Sequence, residues 1–312
     1  DLAPYKDHPR GIGLAEFMNY PGLLSKEPAV MEKLSSFFGT HIDGHVPMVS
    51  GRDLNAYCAC GIKNCHESTS LAEAAEKLSK GMQVLIRDGS LCKDVVTLTP
   101  LINDLTSPFL ALCTDDRTPL DMVEDGHLYH LTRTAIANGA PMGAVYRAAS
   151  WSAAQGFGLR DRGLIAPGYR ADMVLLDDLA DCAVGAVIRG GQLVDEGTFF
   201  QHRPDLSIGR NSITLDRVDP SIFATPASGP GGPVIGLVAD GVTTLHLTMD
   251  LPYKDGLRHP DPDRDVLKVV VLNRHGGNKN IGRGFYQGLW FPGRRHRIFG
   301  RSRCPQRHRG GR

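Results

Sequence analysis

The chain has 312 residues, 41% hydrophobic and 22% charged, which is globular composition and long enough for about two domains. No apolar run approaches the roughly 18 residues of a membrane helix, and no basic start leads into an apolar stretch, so neither a membrane span nor a secretory signal is expected. The formal charge of +1 hides an asymmetry: Val266 to Arg312 holds twelve Lys or Arg and no acid, leaving 23 basic against 34 acidic residues before it.

In chain order, residues 1–165 alternate strand-type and helix-type runs, the pattern of βα units on a parallel sheet. Strands are expected at 11–17, 41–45, 61–66, 82–88 and 109–114. Helices are expected at 27–38, 50–60, 71–79, 94–104, 127–138 and 141–156. Five such strands suit an open doubly wound sheet or part of a (β/α)8 barrel. From Gly163 the pattern changes. A Pro167-Gly168 turn precedes an apolar run, AVIRGGQLVDEG reads as a hairpin around Gly190-Gly191, and further strands are expected at 234–239, 242–249 and 266–272.

Seven cysteines, an odd number with Cys92 and Cys113 in apolar surroundings, read as reduced thiols and not as a disulfide framework. Cys58, Cys60, Cys65 and His66 lack the C-x2-C pair of a structural zinc site. Polar residues at strand ends carry more. Glu16, His45, His66 and Asp115 each close a predicted strand, at spacings of 29, 21 and 49 residues. The carboxyl edge of such strands is where βα loops gather an active site. One Glu, two His and one Asp converging there would suit a first-row divalent metal. Asp116 reads as a loop cap, and His127 and His130 read as the start of an amphipathic helix.

The strings GLAEFMNYPG, HIDGHVPMVSGRDLNAYCACGI, NCHES, LCTDDRTP, GLRDRGLIAPGYRADMVLLDDL and PDPDRDVLKVVVLNRHGGNKNIGRGF closely resemble the adenine deaminase family of the amidohydrolase superfamily, over residues 8 to 288. The resemblance implies an α/β fold: the C-terminal part of a metal-dependent (β/α)8 barrel over 1–162, a β-sandwich return segment over 163–198 and an α+β C-terminal domain over 199–291. It implies hydrolysis of adenine to hypoxanthine and ammonia by a metal-activated hydroxide, in cytoplasmic purine salvage. Two ions, Mn2+ or Fe2+, would serve the complete enzyme. Carried over by position, Glu16, His45, His66 and Asp115 would be metal ligands. Asp115 and Glu67 would be the catalytic carboxylates. The partner implied is the small molecule adenine, with homo-oligomers compatible and neither nucleic acid nor membrane expected.

The chain departs from that pattern in two places. Cys65 stands where the family has an acid before its strand-six His, and no His-x-His pair occurs in the 312 residues. The expectation is therefore a fragment that lacks its first barrel strands, inactive by itself. Residues 292–312, GRRHRIFGRSRCPQRHRGGR from Gly293, read literally as a basic binding tail. Back-translated and read one base later, however, Arg294–Arg309 can give the ending of adenine deaminases, so a frameshift after about Gly288 is expected. The alternatives are another amidohydrolase acting on a cyclic amide or a different purine, or a non-catalytic binding protein with a basic tail.

Overall fold

Short aliphatic runs become strands and the amphipathic runs after them become helices in the computed structural model, which describes residues 3–200, 207, 210–215, 218–238, 243–274, 280–289 and 307–311. The chain divides into two units, Asp1–Gln201 and His202–Arg312. The first begins with β1 (Gly13–Phe17), α1 (Tyr20–Leu24) and α2 (Pro28–Ser36), and β1 pairs in parallel with β2 (His41–Gly44). After α3 (Gly51–Ala59) come β3 (Asn64–Cys65), α4 (Leu71–Ser79), β4 (Gln83–Arg87), α5 (Val95–Leu98) and β5 (Leu110–Cys113). The strands β3, β4 and β5 form a second parallel sheet in that order. Gly44 N donates to Asn64 Oδ1 at 2.8 Å, linking β2 to β3 without a backbone ladder. The described residues contain no closed barrel.

Four helices complete the α/β portion: α6 (Pro119–Glu124), α7 (Leu128–Ala137), α8 (Met142–Ala149) and α9 (Trp151–Gly156). A single helix was expected over 141–156. Ser150 Oγ bonds the Tyr146 carbonyl at 2.6 Å and its backbone leaves helical geometry, which divides that stretch into α8 and α9. The helix expected over 94–104 ends after Leu98 and gives way to a 3-10 turn at Thr99–Leu101, because Pro100 has no N–H to continue it. The helix α4 matches its expected bounds. Ser70 accepts from Glu73 N, and Gly81 beyond the C-cap has φ +80.

Strand alternation divides the polar from the apolar. Val84 and Ile86 of β4, with Leu110 and Leu112 of β5, bury against Val95, Leu98, Leu131 and Val145 of the helices. A second cluster joins Leu14, Phe17 and Ile42 to Leu23, Leu34, Leu54 and Tyr57. Arg87, one residue beyond Ile86, takes the opposite face of β4 and is wholly buried there.

The unit continues with an antiparallel sheet of β6 (Met173–Asp178), β7 (Ala183–Arg189) and β8 (Gln192–Leu193), then α10 (Glu196–Phe200). The hairpin turns at Gly190 and Gly191, both at positive φ.

In the second unit, β9 (Gly231–Leu237), β10 (Thr244–Asp250), β13 (Val266–Leu272), β14 (Ile281–Gln287) and β15 (Arg307–Gly311) form one sheet in the order β10-β9-β14-β13-β15. The small hairpin β11 (Tyr253–Lys254) and β12 (Leu257–Arg258) lies apart from that sheet. Along β13 the buried and half-buried residues alternate strictly, with Val266 in a core beside Val234, Leu251 and Phe285. The expected tail over 292–312 lies outside the described residues except for the β15 backbone.

A Cβ placed on Gly44 would overlap the Asn64 carbonyl oxygen, so β2 and β3 approach closely only because that Cβ is missing. Gly44→Ala is expected to destabilise the fold by about 1–3 kcal/mol or more, as overpacking does. Urea denaturation checks this, and a wild-type midpoint would place the two strands farther apart than described.

Candidate metal centre

The carboxyl ends of β1, β2 and β3 deliver four side chains to one point. Glu16 sits where the β1–β2 register slips between Leu14 and Phe17, and its φ is +35. Bulges of this kind re-aim a side chain, and the left-handed backbone of a non-glycine residue costs about 1–3 kcal/mol. His45 follows β2 directly. Its backbone N donates to Tyr57 Oη at 2.9 Å, and the same hydroxyl donates to the Phe17 carbonyl at 3.1 Å. Tyr57, wholly buried on α3, therefore ties the end of β1 to the end of β2. Burial pushes its phenol far above the usual range, so it remains a neutral donor.

His66 and Glu67 follow β3. Cys65 Sγ accepts from Val46 N and Glu67 N, both at 3.4 Å, and from Lys77 Nζ at 3.4 Å. Lys77 is fully buried and also bonds Ser68 and Glu73. The Lys77 amine thus accompanies the Cys65 sulfur beneath the end of β3.

The four side chains meet closely. Glu16 Oε1 lies 3.1 Å from His45 Nδ1 and 3.3 Å from His66 Nε2. Glu67 Oε1 lies 3.3 Å and 3.2 Å from the same two nitrogens. One ligand atom from each of Glu16, His45, His66 and Glu67 falls within 4.8 Å of the other three. The two imidazoles meet edge to face, with centroids 5.5 Å apart. Burial holds the His45 imidazole below its usual pKa, although Glu67 and Glu16 pull the other way. The neutral ring is the form that ligates a metal. Two imidazoles and two carboxylates are a donor set that fits a first-row divalent ion.

Asp115 is not one of the four. It stands near Arg87, whose Nη1 lies 2.6 Å from Glu67 Oε1 and 3.7 Å from Asp115 Oδ2. One guanidinium nitrogen is thus near both carboxylates. Like Glu16, Asp115 has a left-handed backbone, with φ +48. Thus Glu16, His45 and His66 come together as expected, Glu67 joins them, and Asp115, expected with them, stands outside the four and near Arg87. Asp116 ties two loops by accepting from Ser90 N at 3.2 Å. His127 meets Thr114 Oγ1 at 3.2 Å, and His130 lies 3.5 Å from Asp88, whose carboxyl burial pushes up to about 6. None of these histidines, nor any cysteine, belongs to a metal-type cluster among the described residues.

Sequence reasoning passed over Arg87, Tyr57 and Lys77. Arg87 carried a signal: a charged residue at the end of the apolar run MQVLIRD has to find a partner indoors. Tyr57 and Lys77 carried none, since each lies on an ordinary amphipathic helix.

The family model described as "Amidohydrolase family" matches residues 6–194, and the one described as "Adenine deaminase C-terminal domain" matches residues 241–292. The chain is 53% identical over 290 residues to an adenine deaminase of Methylobacterium nodulans, covering 93% of this chain and 51% of that protein. It is 50% identical over 289 residues to one of Cereibacter sphaeroides, with coverage of 93% and 51%. The chain therefore spans about half the length of the curated relatives it matches. Solved structures similar to it include N-acetyl-D-glucosamine-6-phosphate deacetylase from Mycobacterium smegmatis, at 22% identity and TM-score 0.43, covering 56% of this chain and 52% of that one. A β-aspartyl dipeptidase from Fervidobacterium islandicum aligns at 14% identity and TM-score 0.42, with coverage of 55% and 52%.

Tyr57→Phe removes one hydroxyl and leaves the His45 N–H and the Phe17 carbonyl without it. The expected cost is about 1–3 kcal/mol of stability, that of stranding buried polar groups. Thermal or urea melts read this directly, and an unchanged melt would show that the hydroxyl bridges nothing.

Proposed function

The chain belongs to the amidohydrolase family, and from that membership we propose that the protein is an adenine deaminase, hydrolysing adenine to hypoxanthine and ammonia. The observation that carries this reading is the cluster of Glu16, His45, His66 and Glu67 at three strand ends, in a chain whose later part matches the adenine deaminase C-terminal domain. In the same reading, residues 1–162 are part of a (β/α)8 barrel, 163–198 a β-sandwich segment and 199–291 the C-terminal domain. The setting is cytoplasmic purine salvage, a role that follows from the reaction.

Glu16, His45 and His66 would hold an ion, Mn2+ or Fe2+, with Asp115 at the far edge of the site. The ion would supply Lewis acidity that makes water nucleophilic near neutral pH. The remaining chemistry falls to the side chains. Glu67 Oε1 stands beside both imidazoles, where a carboxylate can hold a proton close to the reacting centre. Asp115, with its side chain 18% exposed, would take a proton from water and return it to the departing amine. Adenine would enter from the strand-end side, where the βα loops gather.

A chimaera tests the proposal. This chain replaces the matching half of the Methylobacterium nodulans enzyme, and ammonia release from adenine is measured with Mn2+ present. Deamination is expected, lost on chelation, and Asp115→Asn is expected to lower kcat by about 10²–10⁴-fold, the range for a general acid–base group. A folded chimaera that releases no ammonia from adenine, or prefers another purine in a substrate panel, would overturn the assignment.

A further inference from the structure

Arg87 lies against both carboxylates assigned to proton handling. Its side chain is wholly buried at the end of β4. Nη1 donates to Glu67 Oε1 at 2.6 Å and comes within 3.7 Å of Asp115 Oδ2. Nε donates to Asp94 Oδ2 at 3.1 Å, and Nη2 comes within 3.0 Å of that oxygen without hydrogen-bond geometry. Three carboxylates from three loops thus face one delocalised cation. The oxygen that Nη1 holds, Glu67 Oε1, also lies 3.3 Å from His45 Nδ1 and 3.2 Å from His66 Nε2.

Two consequences follow from charge and shape. A planar fork that engages Asp94 on its Nε and Nη2 side fixes where Nη1 stands against Glu67 and Asp115, which a point charge such as an ammonium does not. A buried positive charge beside a cation-binding position also opposes the cation, and it draws on the same oxygen lone pairs that an ion would use. Resting on the metal reading above, we propose that Arg87 is a positioning residue that holds Glu67 and Asp115 in fixed relation at the metal position, at the cost of weaker divalent-ion binding there. On this account Glu67 stays beside the imidazoles as a proton carrier because Arg87 restrains it, and without Arg87 it becomes a full metal ligand.

The test uses the 312-residue chain and Co2+ as the probe, with affinity measured by calorimetry and coordination by visible absorption. Arg87→Met should bind Co2+ at least about tenfold more tightly than wild type, with a changed absorption band as Glu67 enters the coordination sphere. Arg87→Lys keeps the charge but gives up the fork, so its affinity should stay within about threefold of wild type while the band still changes. Glu67→Gln combined with Arg87→Met should lose the gain in affinity. A purely structural role predicts the opposite sign, since a misplaced Glu67 and a loosened fold would weaken Co2+ binding. Weaker or unchanged binding by a folded Arg87→Met would therefore overturn the proposal. If Arg87→Met does not fold, Arg87→Lys decides, and a wild-type band in that variant overturns it. Absence of Co2+ binding by the wild-type chain would instead sink the metal reading, and this inference with it.

Discussion

A guanidinium that no water reaches must be neutralised inside the protein, and at Arg87 that requirement organises the whole site. Removing one partner from a buried pair costs about 3–5 kcal/mol, because the other charge is then left uncompensated. The partners of Arg87 come from different places: Glu67 after β3, Asp94 before α5 and Asp115 after β5. Satisfying one charge therefore draws three loops to one point. The oxygen of Glu67 held in this way faces both imidazoles, so the donor cluster and the charge network are a single structure. The cores beneath them keep the strand ends in register, while the network decides where the side chains on those ends point.

The cluster also carries backbone strain. Glu16 and Asp115 are both non-glycine residues at positive φ, one at the bulge in β1 and the other just after β5. Each costs about 1–3 kcal/mol and persists only where the surroundings over-determine it. For Glu16 the surroundings are the β1–β2 pairing and the Tyr57 bridge from His45 N to the Phe17 carbonyl. For Asp115 they include the Arg117 side chain two residues on, which bonds the Gly126 carbonyl and Asp125. At these two positions the strained backbone carries a side chain of the cluster or of its edge.

The parallel strands and their helices were legible because hydrophobic period and capping chemistry agree there. In α4 the Ser70 cap, the Leu71, Ala74 and Leu78 spacing and the terminal Gly81 all point to the same element. Where local chemistry competes with period, the reading failed. The Ser150 hydroxyl captures a carbonyl and divides a helix, and Pro100 ends one early. The short α1, α6 and α10 went unread because five or six residues show too little period. At the site, Glu16, His45 and His66 were legible from their place after apolar runs. The contact between Glu67 and both rings was not, since no spacing reveals where an arginine on another strand will hold a carboxylate. The same gap hid the position of Asp115 near the guanidinium.

Glu67 and Asp115 are chemically near-identical acids in unlike surroundings, and unlike surroundings are how one site gives two carboxylates two roles. Glu67 is buried to 3% exposure and engaged by two imidazoles and a guanidinium, so its motion and its access to solvent are small. The Asp115 side chain is 18% exposed and lies 3.7 Å from Arg87. A group that exchanges protons with solvent each turnover needs that exposure. A group that holds one proton beside the reacting centre needs the enclosure. One arginine nitrogen lies 2.6 Å from the first and 3.7 Å from the second. On the proposed assignment, the division of labour between these acids would rest on their distances from Arg87 and from water, properties of the folded strand ends that neither residue type carries alone.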